Sequence, residues 1–347
     1  LKDAEPEKSM EFTIEAENLT KEFPVLRGYK EILLYPWKRR MVTALSAVSL
    51  QVRNGEIFGL LGCNGAGKTT LIKTFCTLLF PTAGTARVCG HDIRRDDSEV
   101  RKRIGYVLSD ERSFYWRLTG RQNLEFFAVL NNLNIERARE RVRNILQLTR
   151  LEEMADRMFK DYSTGMRQML AIARGLLTDP EVLFLDEPTR SLDPAASQHV
   201  RRFFKEVLSR RHGKTLFLAT HNLREAEEIC DRVAILHRGR IAAVGSVQEL
   251  RKSFGDRQSR SFVLKNPDER KLEAYRRLHP VCRVEPMDGH PAGEEKVLKL
   301  TLPAAAGADN NRLVGEVLGL GGELLSFAEE EKSLEELFDS LTEPPRE

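Results

Sequence analysis

Residues 62–69 read Gly-Cys-Asn-Gly-Ala-Gly-Lys-Thr and complete a G-x-x-x-x-G-K-[ST] pattern. An apolar run from Glu56 to Leu61 precedes it with a strand pattern, and a helix-like run begins at Thr69. A glycine-rich turn between strand and helix makes a phosphate cradle. Its backbone N–H groups can aim at an anion, and the helix start adds the positive end of its dipole. Gly62, Gly65 and Gly67 permit the tight turn, and Gly62, Cys63, Asn64, Gly65, Ala66, Gly67, Lys68, Thr69 and Thr70 form the expected nucleotide-binding stretch. Lys68 brings a point charge to the phosphates, and the Thr69 hydroxyl suits Mg²⁺.

Further along, Val182 to Glu187 (Val-Leu-Phe-Leu-Asp-Glu) is a continuous apolar run closed by two acids. It suits a buried parallel strand with carboxylates at the ligand edge of the sheet. Asp186 is expected to hold Mg²⁺ through water, and Glu187 to polarise the attacking water as general base. Thr215 to Thr220 is another apolar strand and ends at His221, where an imidazole can reach a γ-phosphate. A histidine alone reads as an ordinary surface or core residue; its place between an apolar strand and the acidic helix start Arg224-Glu225 favours a site. Tyr162-Ser163-Thr164-Gly165-Met166-Arg167-Gln168 stands before an amphipathic helix with Met169, Leu170, Ile172, Ala173, Leu176 and Leu177 on its apolar side. Small residues at a helix N-terminus again suit a phosphate. Ser191-Leu192-Asp193-Pro194 reads by itself as a turn.

In this order the segments resemble the nucleotide-binding subunit of an ABC transporter. The P-loop lies at 62–69, a signature-like motif at 162–168, the Walker B acids at Asp186-Glu187, a D-loop at Ser191-Leu192-Asp193 and the switch histidine at His221. The resemblance covers about residues 11–247. It implies an α/β fold: a P-loop NTPase core of the ABC type with a helical subdomain at about 112–180. It also implies ATP and Mg²⁺ as cofactors, Thr69 and Asp186 on the metal, and Lys68, Glu187 and His221 as the catalytic set. In that family two domains meet head to tail, and each ATP lies between one subunit's P-loop and the other's signature. Ser163 and Gly165 are therefore expected to act in trans within a homodimer. A transmembrane permease on a separate chain is the implied partner, at the cytoplasmic face of the membrane.

This chain departs from the family pattern at several positions. Leu, the first Gly and Gln of the usual Leu-Ser-Gly-Gly-Gln signature are replaced by Tyr162, Thr164 and Met166. A glutamine normally follows the strand read here as Ile104-Gly105-Tyr106-Val107; here Leu108-Ser109-Asp110-Glu111-Arg112 follows, and Ser109, Asp110 and Glu111 are its candidate replacements. Phe23 is the candidate adenine-stacking aromatic, with an insertion from Pro24 to Met41 behind it. The basic run Lys38-Arg39-Arg40 in that insertion fits either an ordinary surface or contact with lipid headgroups or the membrane subunit.

The chain's 347 residues, 41% of them hydrophobic, leave room for a sizeable core and two domains. Its five cysteines lack C-x-x-C spacing, which argues against a disulfide framework or a zinc site and for a reducing compartment. No apolar run reaches the roughly 18 residues of a membrane span, and the charged start does not fit a signal peptide. A net charge of +3 gives no electrostatic case for nucleic acid.

The expected order is a tail at 1–9, an ATP-binding domain at 10–248 and a C-terminal accessory domain at 250–342. The last part reads strand, helix, strand, strand, helix, strand, a small α+β domain of split βαβ type. A final helix is expected from Ser333, with Glu336 completing a capping box. Ser333-Leu334-Glu335-Glu336-Leu337-Phe338 resembles the end of the extension on antibiotic, sodium and lipid exporter ATPases, which implies export. Two other classes fit less well. Soluble ABC ATPases usually carry tandem cassettes, a zinc module or a coiled-coil insertion, and a guanine-nucleotide switch needs an Asn-Lys-x-Asp motif.

Overall fold

The computed structural model describes residues 11–25, 41–108, 113–253, 259–279, 282–286, 297–303 and 310–330. The tail at 1–9, most of the 24–41 insertion, Ser109, Asp110 and Glu111, and the helix expected from Ser333 lie outside the described residues. The chain divides into two compact units between Val247 and Gln248.

In the N-terminal unit, β3 (Ile57–Leu61), β6 (Ile104–Leu108), β7 (Val182–Asp186), β8 (Thr215–Thr220) and β9 (Arg232–His237) are joined in parallel, and β10 (Arg240–Gly245) pairs antiparallel with β9. The resulting six-stranded sheet has the order β10-β9-β3-β8-β7-β6. Every residue of β3, β7 and β8 is buried, as strands covered on both faces require.

Strand alternation sorts their side chains into two cores. Phe58, Phe184 and Phe217 pack with the antiparallel sheet β2-β1-β4-β5, formed by β1 (Phe12–Pro24), β2 (Met41–Arg53), β4 (Ala83–Val88) and β5 (His91–Asp92), and with α1 (Lys68–Phe75). The Phe75 ring meets the Phe217 ring edge-on with centroids 5.6 Å apart. Each such buried ring contributes about 2 kcal/mol. A short helix, α2 (Asp97–Arg103), leads into β6 and buries Val100 in the same core.

Leu183, Leu185, Leu216 and Leu218 point the other way, into the second core. There they meet α3 (Gly120–Leu130), α4 (Ile135–Leu148), α5 (Thr164–Gly175) and α6 (Pro194–Arg202), which continues as a π-helix over Phe203–Arg211. The helix starts carry the residues that satisfy free N–H groups: Thr119 with Gln122 as a capping box, Asn134, Ser163, and Asp193 followed by Pro194. Tyr162, which departs from the family pattern, is buried and its hydroxyl donates to the Met154 carbonyl at 2.7 Å. At its far end α5 lies backbone to backbone on β6: a Cβ on Gly105 would overlap the Gly175 carbonyl, and one on Gly175 would sit 2.7 Å from Val107 Cγ2.

The chain crosses the division within α8 (Val247–Ser253). The C-terminal unit contains β11 (Ser259–Lys265), α9 (Glu269–Leu278), β12 (Arg283–Pro286), β13 (Val297–Pro303), α10 (Asn310–Leu318) and β14 (Glu323–Glu330). Its sheet has the order β12-β13-β11-β14 with every pairing antiparallel, the split βαβ topology expected from the sequence. Phe262, Leu264, Leu298, Leu300, Leu302, Leu272 and Val317 form its core.

Candidate nucleotide site

The P-loop joins β3, in the middle of the parallel sheet, to α1. Gly67 stands at the helix start with φ 111°, and a Cβ there would lie 2.7 Å from the Ala44 carbonyl oxygen, so only glycine fits this turn. No side chain caps α1, whose first N–H groups therefore face the loop. The adjacent strands β7 and β8 end at the same edge of the sheet and deliver Asp186, Glu187 and His221.

These residues form one bonded cluster. Lys68 Nζ donates to the Gly62 carbonyl at 2.6 Å and lies 3.2 Å from Glu187 Oε1. The other oxygen, Glu187 Oε2, is 2.6 Å from His221 Nδ1. Thr69 Oγ1 donates to Asp186 Oδ2 at 2.8 Å. Lys68, Asp186 and Glu187 are buried, whereas the His221 side chain is 48% exposed. Glu187 has φ 53°, left-handed backbone that a non-glycine residue adopts at a cost on the order of 1 kcal/mol. Its N–H is held by the Ala219 carbonyl at 2.9 Å.

Burial pushes the Asp186 carboxyl above the ordinary range, the Glu187 charge adds to this, and Thr69, Lys68 and Lys73 oppose it. Its Oδ1 is buried with no hydrogen-bond partner. A threonine hydroxyl beside a carboxylate with one unsatisfied oxygen suits a hard cation, so these side chains fit Mg²⁺.

A cleft of about 210 Å³ lies here, walled by the loop, by Asp186 and Glu187, and by Ala44 and Arg190. Cys63, Asn64, Gly65, Gly67, Lys68, Thr69 and Thr70 all line it. Gly62 and Ala66 do not; the Gly62 carbonyl anchors Lys68, and Ala66 packs into the core. Ser163 and Gly165 do not line it either. Ser163 is exposed and its Oγ accepts from Met166 N at 3.3 Å, while Gly165 lies against Ala196 of α6.

Sequence reasoning missed Ala44 and Arg190 in the wall. Arg190 stands three residues past Glu187 with its N–H on the Glu187 carbonyl at 3.2 Å, and a basic residue so close to the Walker B acids was the available signal. In the sequence Glu225 reads only as part of an acidic helix start. It is 1% exposed and bonded to Thr189.

A family model described as "ABC transporter" matches residues 45–190. The chain is 42% identical over 212 residues to the daunorubicin resistance ATP-binding protein DrrA3 of Streptomyces coeruleorubidus, a stretch covering 61% of this chain and 66% of that protein. It is 35% identical over 302 residues to the daunorubicin/doxorubicin resistance ATP-binding protein DrrA of Streptomyces peucetius, covering 87% of this chain and 88% of that one. Among solved structures, the dimeric post-hydrolysis state of the ATP-binding cassette MJ0796 bound to ADP and Pi superposes with a TM-score of 0.56 at 26% identity, covering 67% of this chain and 98% of that chain.

Proposed function

The chain belongs to the ABC transporter family of ATP-binding subunits, and from that premise we propose that it hydrolyses ATP to drive an exporter whose pore is a separate transmembrane permease. The observation that carries the chemistry is the run of contacts Lys68–Glu187–His221 at 3.2 and 2.6 Å, beside the Thr69–Asp186 pair. The triphosphate would take the N–H groups at the start of α1 and the Lys68 ammonium. Mg²⁺, when bound, neutralises charge on the β- and γ-phosphates, and Thr69 and Asp186 would hold it. Glu187 takes the proton of the attacking water. With Nδ1 engaged by Glu187, His221 has Nε2 left for the γ-phosphate, to which it can bond only as an N–H donor.

The exposed start of α5 supplies the other half of the site in a head-to-tail homodimer, with Ser163 and Gly165 reaching the partner's nucleotide. The solved MJ0796 cassette is described as dimeric, which supports a dimer here. A membrane partner is supported by the large apolar side chains exposed between 115 and 130, among them Tyr115, Trp116, Phe126 and Leu130. Among the described residues no helix is long and apolar enough to cross a membrane; attachment at the cytoplasmic face through the permease is part of the same proposal. Drug resistance proteins among the relatives favour export.

The test is co-purification of the full chain with a polytopic membrane protein lacking a P-loop, together with ATPase activity in the recovered complex. Active chain that stays out of the membrane fraction in the presence of that protein would overturn the transporter role.

A further inference from the structure

Glu225 lies in the first turn of α7 (Leu223–Ile229), four residues past His221. A carboxylate in a helix's first turn is ordinarily solvated, yet this one is 1% exposed. Its Oε1 accepts from Thr189 Oγ1 at 2.7 Å, a buried bond across 36 residues of sequence. Thr189 stands two residues past Glu187, in a turn closed by Arg190 N to Glu187 O and Leu192 N to Thr189 O, each 3.2 Å. The segment after β7 and the segment after β8 are therefore tied twice, by Glu187 to His221 at 2.6 Å and by Thr189 to Glu225.

Placing a third carboxyl, after Asp186 and Glu187, in this buried region is costly. Burial pushes Glu225 above the ordinary carboxylate range, Thr189, Thr220 and Arg201 oppose the rise, and the Glu187 charge adds to it. An apolar residue would fill the space more cheaply but could not accept the Thr189 hydroxyl. The turn that this bond holds contains the left-handed backbone of Glu187 and leads directly to Asp193, the cap of α6.

We propose that Glu225 is a positioning residue for hydrolysis: through Thr189 it fixes the turn after β7 and so keeps the Glu187 carboxylate on His221. This role rests on Glu187 being the general base.

The test uses steady-state ATPase kinetics and thermal midpoints of the full chain. Glu225→Ala and Thr189→Val should each lower kcat by about tenfold, as expected when a reacting group is let go by a fraction of an ångström, with KM for ATP changed less than about twofold. The double variant should be no slower than the worse single one, because both remove the same bond. Glu225→Gln, whose amide oxygen still accepts from Thr189, should recover turnover to within about threefold of the unaltered chain.

Losses that multiply in the double variant, a KM that rises in step with the fall in kcat, or Glu225→Gln as slow as Glu225→Ala would overturn the role. If Glu225→Ala fails to fold, folded Thr189→Val decides, and full turnover there overturns it. Glu187→Gln, measured alongside, separates the two assignments. Retained turnover in that variant removes Glu187 as base, whereas its loss together with full turnover in Thr189→Val removes only the positioning role.

Discussion

Two helices in the N-terminal unit begin in small residues, α1 at Gly67 and α5 at Ser163, and their surroundings differ sharply. At α1, Lys68 and Thr69 are bonded to Glu187 and Asp186, so strands distant in sequence close around the helix start. At α5, Ser163 is exposed, and the bond found for its hydroxyl is the cap on Met166 N. Both ends have the dipole and N–H groups that attract a phosphate, and at the first an ammonium, two carboxylates and an imidazole are bonded together beside them. A helix start acquires chemistry from what the sheet brings beside it. Under the function proposed above, the second start is half of a site, to be completed on another subunit.

The largest effect should fall on the first helix. Glu187→Gln keeps the shape of the side chain but cannot take a proton, so turnover should drop at least about a hundredfold while ATP still binds. Turnover and equilibrium nucleotide binding measured on the same preparation check this, and unchanged hydrolysis would assign the base elsewhere. A test of the second helix mixes Lys68→Ala and Ser163→Arg subunits, each inactive as a homodimer. Random pairing leaves half the dimers with one intact composite site, so hydrolysis should recover to at most about a quarter of the unaltered rate. Normal activity in the Ser163→Arg homodimer would erase the distinction, leaving the start of α5 an ordinary cap. Smallest is Tyr162→Phe, which removes the hydroxyl bonded to the Met154 carbonyl. It should cost about 1 kcal/mol, read as a thermal midpoint lowered by a few degrees, with nucleotide binding at α1 unaltered.

The first helix start was far more legible in the sequence than the second. The P-loop spacing is local, and the apolar runs before Asp186 and His221 are long enough to announce buried parallel strands. Their convergence follows from strand order, since β3, β8 and β7 are neighbours. At α5 the residues Tyr162 to Gln168 read as small residues at a helix N-terminus, and Ser163 caps that helix; any further meaning rests on family resemblance. Glu225 was illegible for a physical reason. Its bonding partner, Thr189, lies in another segment, and a single acid in a helical first turn carries no sign of it. Ala44 enters the cleft because β2 runs beside Gly67, a contact between segments that no local pattern encodes.

The crossing of Gly105 and Gly175 has a mechanical consequence. Because the backbones of β6 and α5 touch there, that end of the helix is fixed against the strand, and any displacement of α5 as a body would have to turn about the contact. Its 12 residues make an arm about 18 Å long, with Ser163 at the tip. A tilt of about 10° would carry the tip roughly 3 Å, about the length of one hydrogen bond. A rotation that small would be enough to change what Ser163 meets, and the strand that supplies the fulcrum, β6, leads straight into the 109–112 segment. Bulk added at Gly175 would disturb the pivot while leaving the tip at Ser163 chemically intact.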